Sequence, residues 1–227
     1  MTIRFRSPAR LASVSALLAA LSVGGCAQPP VASDRPRVLA PELVAPPERL
    51  PAIVVTGRGV AWHTCADLIR ALQADNVPEE VTELPEFNAW APCQSAALAA
   101  QGHAAGGFDA SDAGERLYRG LDLATVESSL AQDRPAEHYR LSDFRSAQAE
   151  IAPSSVTLHD KGFLYELRVL AVGDFRHVGH GEWLVRFIDR SVAGGSYDRT
   201  AILVVDATAD GSLIATDALD VLRGQAR

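Results

Sequence analysis

The stretch that decides the fold runs from Phe163 to Leu213 and has the sequence FLYELRVLAVGDFRHVGHGEWLVRFIDRSVAGGSYDRTAILVVDATADGSL. Its apolar runs of strand length, rich in valine, isoleucine, leucine and aromatic residues, are Phe163–Phe175, Glu182–Asp189 and Thr200–Ala207. Glycine or aspartate bounds the runs, and Asp210-Gly211 is a strong hairpin signal before one more strand. The stretch therefore predicts an antiparallel β-meander, with a sheet over about residues 163–222.

The first run has the alternation of a strand with two different faces. Apolar residues at 163, 165, 167 and 169 share one face by the period-two rule. The residues at 164, 166, 168 and 170 mix leucine with glutamate and arginine. We therefore expect this second face to be at most half buried.

The N-terminal residues predict export. Arginines at 4, 6 and 10 precede an apolar run from Leu11 to Val23, which is followed by two glycines and Cys26. This pattern is typical of a signal peptide, and the run is too short for a spanning helix. The ending closely resembles a bacterial lipobox, which implies that residues 1–25 are removed and that Cys26 carries palmitate. Ala27 in place of an aspartate then implies the outer membrane, facing the periplasm. The alternative is an ordinary signal peptide with an incidental cysteine.

Residues 26–51 hold seven of the 13 prolines in the chain. Such a segment favours an extended conformation, at roughly 3 Å per residue, over a packed core. We therefore expect a lipidated cysteine and a proline-rich tether over residues 26–51, and a single globular domain over residues 52–227. The whole chain has a net charge of −7, and loss of the signal arginines would make it more acidic. This excludes the electrostatic footprint of a nucleic-acid-binding protein.

Short helices are expected between residues 63 and 132, after a β-type run at Ala52–Thr56. Thr64 is a plausible cap for a helix over Cys65–Leu72. Pro92 suits a first helical position before Cys93–Ala100. Asp112–Gln132 is an imperfect helical pattern, which Gly120 weakens. The predicted fold class is α+β, with small N-terminal helices joined by a disulfide and a C-terminal antiparallel β-meander.

Cys65 and Cys93 are the two cysteines that remain after lipidation of Cys26. In an oxidising compartment such a pair predicts a disulfide, which closes a loop worth roughly 3.6 kcal/mol in the chain-entropy estimate. The alternative is a Cys65 nucleophile with His63 as its base. A free reactive thiol is difficult to maintain in the periplasm, so we predict the disulfide.

The loop at residues 173–182, GDFRHVGHGE, resembles an FG-GAP or VCBS-type unit, whose loop usually holds calcium. Asp174 matches the first ligand, Gly179 the turn glycine and Glu182 the closing acidic residue. Arg176 stands where the family has asparagine, and Val178 where it has the central aspartate. Calcium needs about six to eight oxygen ligands, so these two changes predict a degenerate loop without metal. Arg176 would replace the charge of the ion by pairing with Asp174 or Glu182.

The segment GGSYDR at residues 194–199 extends this resemblance. Periplasmic lysozyme-inhibitor-like immunity lipoproteins of bacterial type IV secretion systems place such a loop before a strand. They then present a loop of the form S/T-G-x-Y-x-F to the enzyme. The resemblance implies that Gly195, Ser196 and Tyr197 contact a partner, although the leading hydroxyl residue and the closing phenylalanine are missing. The alternative is a hairpin tyrosine that packs on the edge of the sheet.

Other chemistries have weaker signals. His177, His180 and Glu182 are candidate zinc ligands, but two histidines in a turn are more often a polar turn. Asp206-x-Thr208-x-Asp210-Gly211 with Asp217 has calcium-loop spacing, but a hairpin explains the same residues. Residues 194–198 lack the final glycine of a nucleophile elbow. We therefore predict neither a catalytic residue nor a cofactor.

Three functions fit these observations. The first is an envelope-anchored protein that binds and inhibits another protein, as an immunity protein does, with a periplasmic or incoming secreted partner such as a cell-wall-degrading toxin. The second is a structural or assembly lipoprotein of an envelope machine. The third is a small-ligand carrier or an enzyme with an apolar pocket. Binding needs fewer assumptions than catalysis, because no nucleophile, base and oxyanion donor are apparent together.

Overall fold

The computed structural model describes residues 34–55, 60–106, 109–129, 139–144, 147–207 and 211–224, with the backbone alone at 55 and 60. These residues have an α+β fold, with most helices before the sheet and a largely antiparallel sheet after residue 147, which confirms the predicted fold class. The predicted signal peptide, Cys26 and the first part of the predicted tether lie outside the described residues. No helix among those described has the length and apolar character needed to cross a membrane.

The described helices are α1 (Pro41–Val44), α2 (Cys65–Gln73), α3 (Glu79–Thr82), α4 (Ala91–Gln101), α5 (Ala113–Gly120) and α6 (Ala218–Gly224). Short 3-10 helices cover Pro85–Trp90, Leu123–Thr125 and Leu141–Asp143. The described strands are β1 (Arg37–Val38), β2 (Ile53–Val55), β3 (Val60–Trp62), β4 (Gln148–Ala152), β5 (Ser155–Asp160), β6 (Phe163–Gly173), β7 (Glu182–Ser191), β8 (Asp198–Ala207) and β9 (Leu213–Asp217).

The main sheet has the strand order β4-β5-β6-β7-β8-β9, and every consecutive pair is antiparallel. Consecutive strands are therefore neighbours throughout, as in the predicted meander. Strands β5 and β6 are joined by Lys161 and Gly162, which have φ angles of 46° and 86°. Positive φ at both central residues is typical of the tight turn whose twist matches that of antiparallel strands.

A β-bulge between Val169 and Ala171 changes which side of β6 faces which core. Val169 and Val172 pack into one apolar core, whereas Leu170 and Ala171 both pack into the other. The expectation of a half-buried second face is therefore wrong beyond residue 169, because the bulge shifts the alternation by one residue. Before the bulge, Glu166 and Arg168 are partly exposed, as the alternation predicts.

Helical segments cover both faces of the sheet, so the protein has a core on each side. Helices α2, α4 and α6 pack with Leu170, Leu184 and Val204 on one face. Helix α5 and the segment after it pack with Phe187 and Trp183 on the opposite face. Gly114 permits the close approach of α5, because a Cβ atom there would lie 2.0 Å from the carbonyl oxygen of Ala152.

The disulfide and the first helix cap agree with the sequence prediction. Cys65 and Cys93 are bonded, with Cα atoms 5.1 Å apart, so the alternative of a free Cys65 nucleophile is wrong. The bond joins the first residue of α2 to the first turn of α4. Thr64 and Asp67 form a capping box, in which each side chain accepts a hydrogen bond from the other residue's backbone amide.

The proline-rich segment differs from the expected tether from residue 34 onward. Arg37–Val38 pairs with Val172 and Ala171 of β6, directly beyond the end of β5 on the same edge. The prolines favour an extended strand and, at Pro41, the first turn of a helix. Both conformations allow the segment to pack against the rest of the domain. Ala40 is buried, so the packed residues begin before residue 52, where the sequence placed the start of the globular domain.

The limits of the sheet and of one helix also differ from those predicted. The meander begins at Gln148, because the β4–β5 hairpin precedes Phe163 and continues the sheet. It ends at Asp217, where α6 begins and buries Ala218 and Leu222. Helix α5 ends at Gly120 instead of continuing towards Gln132, since the chain turns into a 3-10 helix at Leu123–Thr125. Residues 130–138 lie outside the described range.

Candidate functional site

The loop between β6 and β7 is organised around two acidic side chains. Asp174 accepts hydrogen bonds from the backbone amides of Val178 and Gly179, each at 2.8 Å. Gly179 has a φ of 84°, a left-handed conformation that a glycine adopts without strain. Asp174 therefore closes the loop through amide groups.

Glu182 lies fully buried at the other end of this loop. Its carboxylate accepts from the backbone amides of Phe175 at 2.7 Å and Arg176 at 2.9 Å. The Nε of Arg176 also donates to Glu182, and its terminal nitrogen donates to Asp206 at 2.8 Å. Although burial opposes the charge, the hydrogen bond with Glu182 raises the pKa of Arg176. Arg176 thus lies between two carboxylates, in the position where a cation would balance them.

The loop between β6 and β7 therefore contains one of the two alternative pairs that the sequence predicted. Arg176 pairs with Glu182, whereas Asp174 binds amide groups and has no contact with Arg176 among the described contacts. The second partner of Arg176 is Asp206, which sequence reasoning missed. Asp206 follows Arg176 by 30 residues and meets it because β6, β7 and β8 are neighbours.

The histidines of the zinc alternative do not converge with Glu182. His180 approaches Asp206 at 3.5 Å, and the ring of His177 lies against the ring of His103, with centroids 4.9 Å apart. Glu182 is committed to Arg176 and to two amides. Within the residues that the structure describes, no group of three or more metal-type side chains has an arrangement that holds an ion.

The loop between β7 and β8 places the predicted partner-binding residues on the surface. Gly195, Ser196 and Tyr197 are all exposed, together with their neighbours from residue 192 to 198. The loop is nevertheless tied to the sheet at both ends. The amide of Val192 donates to the carbonyl of Gly162 at 2.7 Å, and the amide of Ser191 donates to the carbonyl of Tyr197 at 2.9 Å.

Tyr197 packs on the sheet, as one of the two alternatives predicts, and is also partly exposed. Its hydroxyl donates to the fully buried Asp189 at 3.1 Å, and its ring lies edge-on to Phe163 at 6.2 Å between centroids. Asp189 also accepts from the amide and the hydroxyl of Ser129, at 2.6 and 2.8 Å. Burial and the nearby charge of Asp189 raise the pKa of the Tyr197 hydroxyl. The residue is nonetheless 40% exposed, so part of it faces solvent.

A polar cleft lies beside this loop, and the sequence analysis missed it. Asn88 donates to the carbonyl of Asp198 and accepts from the amide of Thr200, which fixes the start of β8 against the helical layer. Next to this contact is a cavity of about 460 Å³, lined by residues that include Gln94, Arg199 and Asp217. The lining residues come from α3, α4, β8, β9, α6 and several connecting segments, so no local sequence pattern contains them together.

The charges of the cleft are unevenly paired. Arg199 donates to Glu127 at 2.6 Å, and Arg223 lies 3.3 Å from Asp220 and 3.8 Å from Asp75. Asp217 accepts one hydrogen bond, from the amide of Leu219 at 2.8 Å. Burial raises the pKa of Asp217, although the Leu219 amide and the charge of Arg199 oppose this shift.

No protein-family model matches the chain, and neither the curated proteins nor the solved structures contain a significant match to it. The resemblance to FG-GAP units and to lysozyme-inhibitor-like lipoproteins therefore remains a prediction from residues 173–199. The geometry of the two loops and of the cleft has to carry the functional argument.

Proposed function

We propose that this protein is an envelope-anchored lipoprotein that faces the periplasm, is held at the outer membrane by lipid on Cys26, and binds and inhibits another protein. The partner is a periplasmic or incoming secreted protein, such as a cell-wall-degrading toxin. The N-terminal signal supports the location. Palmitate labelling of the full chain in cells, lost in Cys26→Ala, is the expected result, and labelling that persists in the variant would contradict the anchor.

The observation that carries the binding proposal is the exposed loop at residues 192–198 and its anchoring. Flexible loops lose conformational entropy when they bind, which weakens the complex. In this loop Gly162, Ser191 and Asp189 restrain the backbone and the Tyr197 hydroxyl before any partner arrives. A partly exposed tyrosine also supplies contact area at low entropic cost.

Binding is also preferred over catalysis because two fully buried carboxylates beside the loops, Glu182 and Asp189, have structural partners. Glu182 is neutralised by Arg176, and Asp189 holds Ser129 and Tyr197. Cys65, which the sequence offered as an alternative nucleophile, is bonded to Cys93. These groups stabilise the sheet and its loops, and a general base needs a free lone pair directed at a substrate.

The experiment captures a partner with the full chain from periplasmic extract and from neighbouring secreted proteins, and then measures its affinity for variants. Tyr197→Ala should weaken the complex by about 2 kcal/mol or more. Ser196→Arg should also weaken it, because Ser196 is exposed and forms no hydrogen bond with the described residues. The matched control is Val178→Arg, which places the same side chain on an exposed residue in the loop at the opposite end of β7.

A second substitution separates binding from folding. Tyr197→Phe retains the ring but removes the hydrogen bond to Asp189, so it should lower the free energy of unfolding by about 1–2 kcal/mol with a smaller effect on affinity. If Ser196→Arg and Val178→Arg leave affinity equally unchanged while both variants stay folded, the loop is not the interface.

A further inference from the structure

The cleft beside β8 contains a buried side chain whose hydrogen-bonding capacity is unused. Gln94 is 2% exposed, yet it forms no hydrogen bond with any residue in the described ranges, and it lines the cavity of about 460 Å³. Its neighbour Ser95, also buried in α4, donates to the carbonyl of Leu43. Buried amide groups are normally satisfied, so Gln94 directs its polar atoms to whatever occupies the cavity.

Asp217 presents a second unused acceptor to the same cavity. One carboxylate oxygen accepts from the amide of Leu219, whereas the other has no hydrogen bond to the part of the chain that the structure describes. Asp217 lines both the main cavity and an adjoining cavity of about 270 Å³. Among the described residues it forms no salt bridge, although it feels the charge of Arg199.

The remaining charges make the cleft negative. Its lining carries five carboxylates, Asp75, Glu79, Glu127, Asp217 and Asp220, against the guanidinium groups of Arg199 and Arg223. Glu127 holds Arg199, and Asp220 holds Arg223. Both cations are therefore already paired, and an anionic ligand would meet excess negative charge.

We propose that this cleft binds an organic cation, an ammonium or guanidinium group on a short carbon stem. The cation would donate to the free oxygen of Asp217 and to the side-chain carbonyl of Gln94. The stem would lie against Phe87, Val77 and Leu219, which supply the apolar part of the lining. The cavity is much larger than a bare metal ion requires, and its polar groups bind a donor with several N–H groups better than a single point charge.

Such a cation can be a free polyamine or a basic side chain of a protein. The chemistry of recognition is the same in both cases, and the inference does not depend on the role of the Tyr197 loop. Agmatine serves as the free probe, and acetyl-Gly-Arg-Gly-amide as the side-chain probe. Glutarate, an anion of similar length, is the negative control.

The test is a calorimetric titration of the full chain with each probe at millimolar concentrations, together with thermal denaturation. Agmatine or the peptide should bind, and Asp217→Asn and Gln94→Leu should each weaken binding by about tenfold or more. Both variants should melt at or above the wild-type temperature, because Gln94→Leu removes a buried amide without a protein partner and Asp217→Asn removes a charge that burial disfavours. Loss of affinity without loss of stability distinguishes a ligand site from a structural role. The matched control is Asp112→Asn, an exposed aspartate on the opposite side of the sheet, which should leave binding unchanged.

The outcomes separate cleanly. Tighter binding of agmatine than of the peptide assigns the site to a free amine, and the reverse order assigns it to a protein side chain. The proposal is overturned if neither cation binds, if glutarate binds as tightly, or if the two cleft variants bind like the wild type. If the cleft variants bind a protein captured through the Tyr197 loop as tightly as the wild type does, that outcome does not affect the cation proposal, since the two surfaces are tested with different ligands.

Discussion

The carboxylates near the two ends of strand β8 differ in whether protein groups satisfy them. At the end that carries Asp206, Glu182 and Asp206 share the guanidinium of Arg176, and two backbone amides complete the shell of Glu182. Towards the end that carries Arg199, the two arginines that line the cleft are paired with Glu127 and Asp220, and one oxygen of Asp217 has no hydrogen bond within the described ranges. The first arrangement is closed, and its acceptors are used by the fold. The second is open, and it therefore has capacity for a ligand.

The largest expected effect tests the closed end. Glu182→Ala leaves Arg176 with Asp206 alone and removes the acceptor of two buried amides, so the free energy of unfolding should fall by about 3–5 kcal/mol. Urea denaturation measures this loss. The control is Glu115→Ala, which breaks a pair with Arg119 on the surface of α5 and should cost no more than about 1 kcal/mol. If the free energy of unfolding falls equally in the two variants, the contacts of Glu182 with Arg176 stabilise the fold no more than a surface ion pair does.

The disulfide provides a second test, because it lies on the side of the open cleft. Cys93 directly precedes Gln94 in α4, so Cys65→Ser with Cys93→Ser should lower stability by roughly 3.6 kcal/mol and also weaken agmatine binding. The effect should add to that of Glu182→Ala within about 0.5 kcal/mol, since the two sites share no described contact. A triple variant measured by urea denaturation checks this, and strong non-additivity would contradict the separation of the two ends.

The smallest effect concerns the pH dependence of Asp217. Its pKa in the folded protein is raised above the ordinary value of 3.8, mainly by burial, so the fold favours the protonated carboxyl. The resulting stabilisation is complete below pH 3.8 and is lost as the pH rises through the folded-state pKa. Asp217→Asn should therefore melt at a higher temperature than the wild type near pH 7, and the difference should shrink on acidification.

Thermal denaturation across this pH range is the measurement, with Asp112→Asn as the exposed control. If Asp217→Asn melts at a lower temperature than the wild type at neutral pH, the charge of Asp217 stabilises the fold. The acceptors of the cleft would then be structural, like those around Arg176, and the contrast between the two ends of β8 would be wrong.

The sequence by itself determined the features that depend on near neighbours. The capping box needs only Thr64 and Asp67, three residues apart, and the meander strands follow from apolar runs between turns. The disulfide was predictable because Cys65 and Cys93 were the only pair left after the signal cysteine was assigned. Arg176 and Glu182 were also within reach of a local argument, since one short loop contains both.

Only the tertiary structure decided which distant residues meet. The packing of the proline-rich segment depends on the free edge of β6 beyond the end of β5, which no feature of residues 34–51 reveals. Asp206 reaches Arg176 through the register of adjacent strands, and Gln94 shares a cavity with Asp217 because α4 and the β9–α6 junction line the same cleft. Hydrophobic burial sets these positions, and it acts on total buried area without regard to separation along the chain. The open site was therefore invisible in a pattern that extends over a few residues.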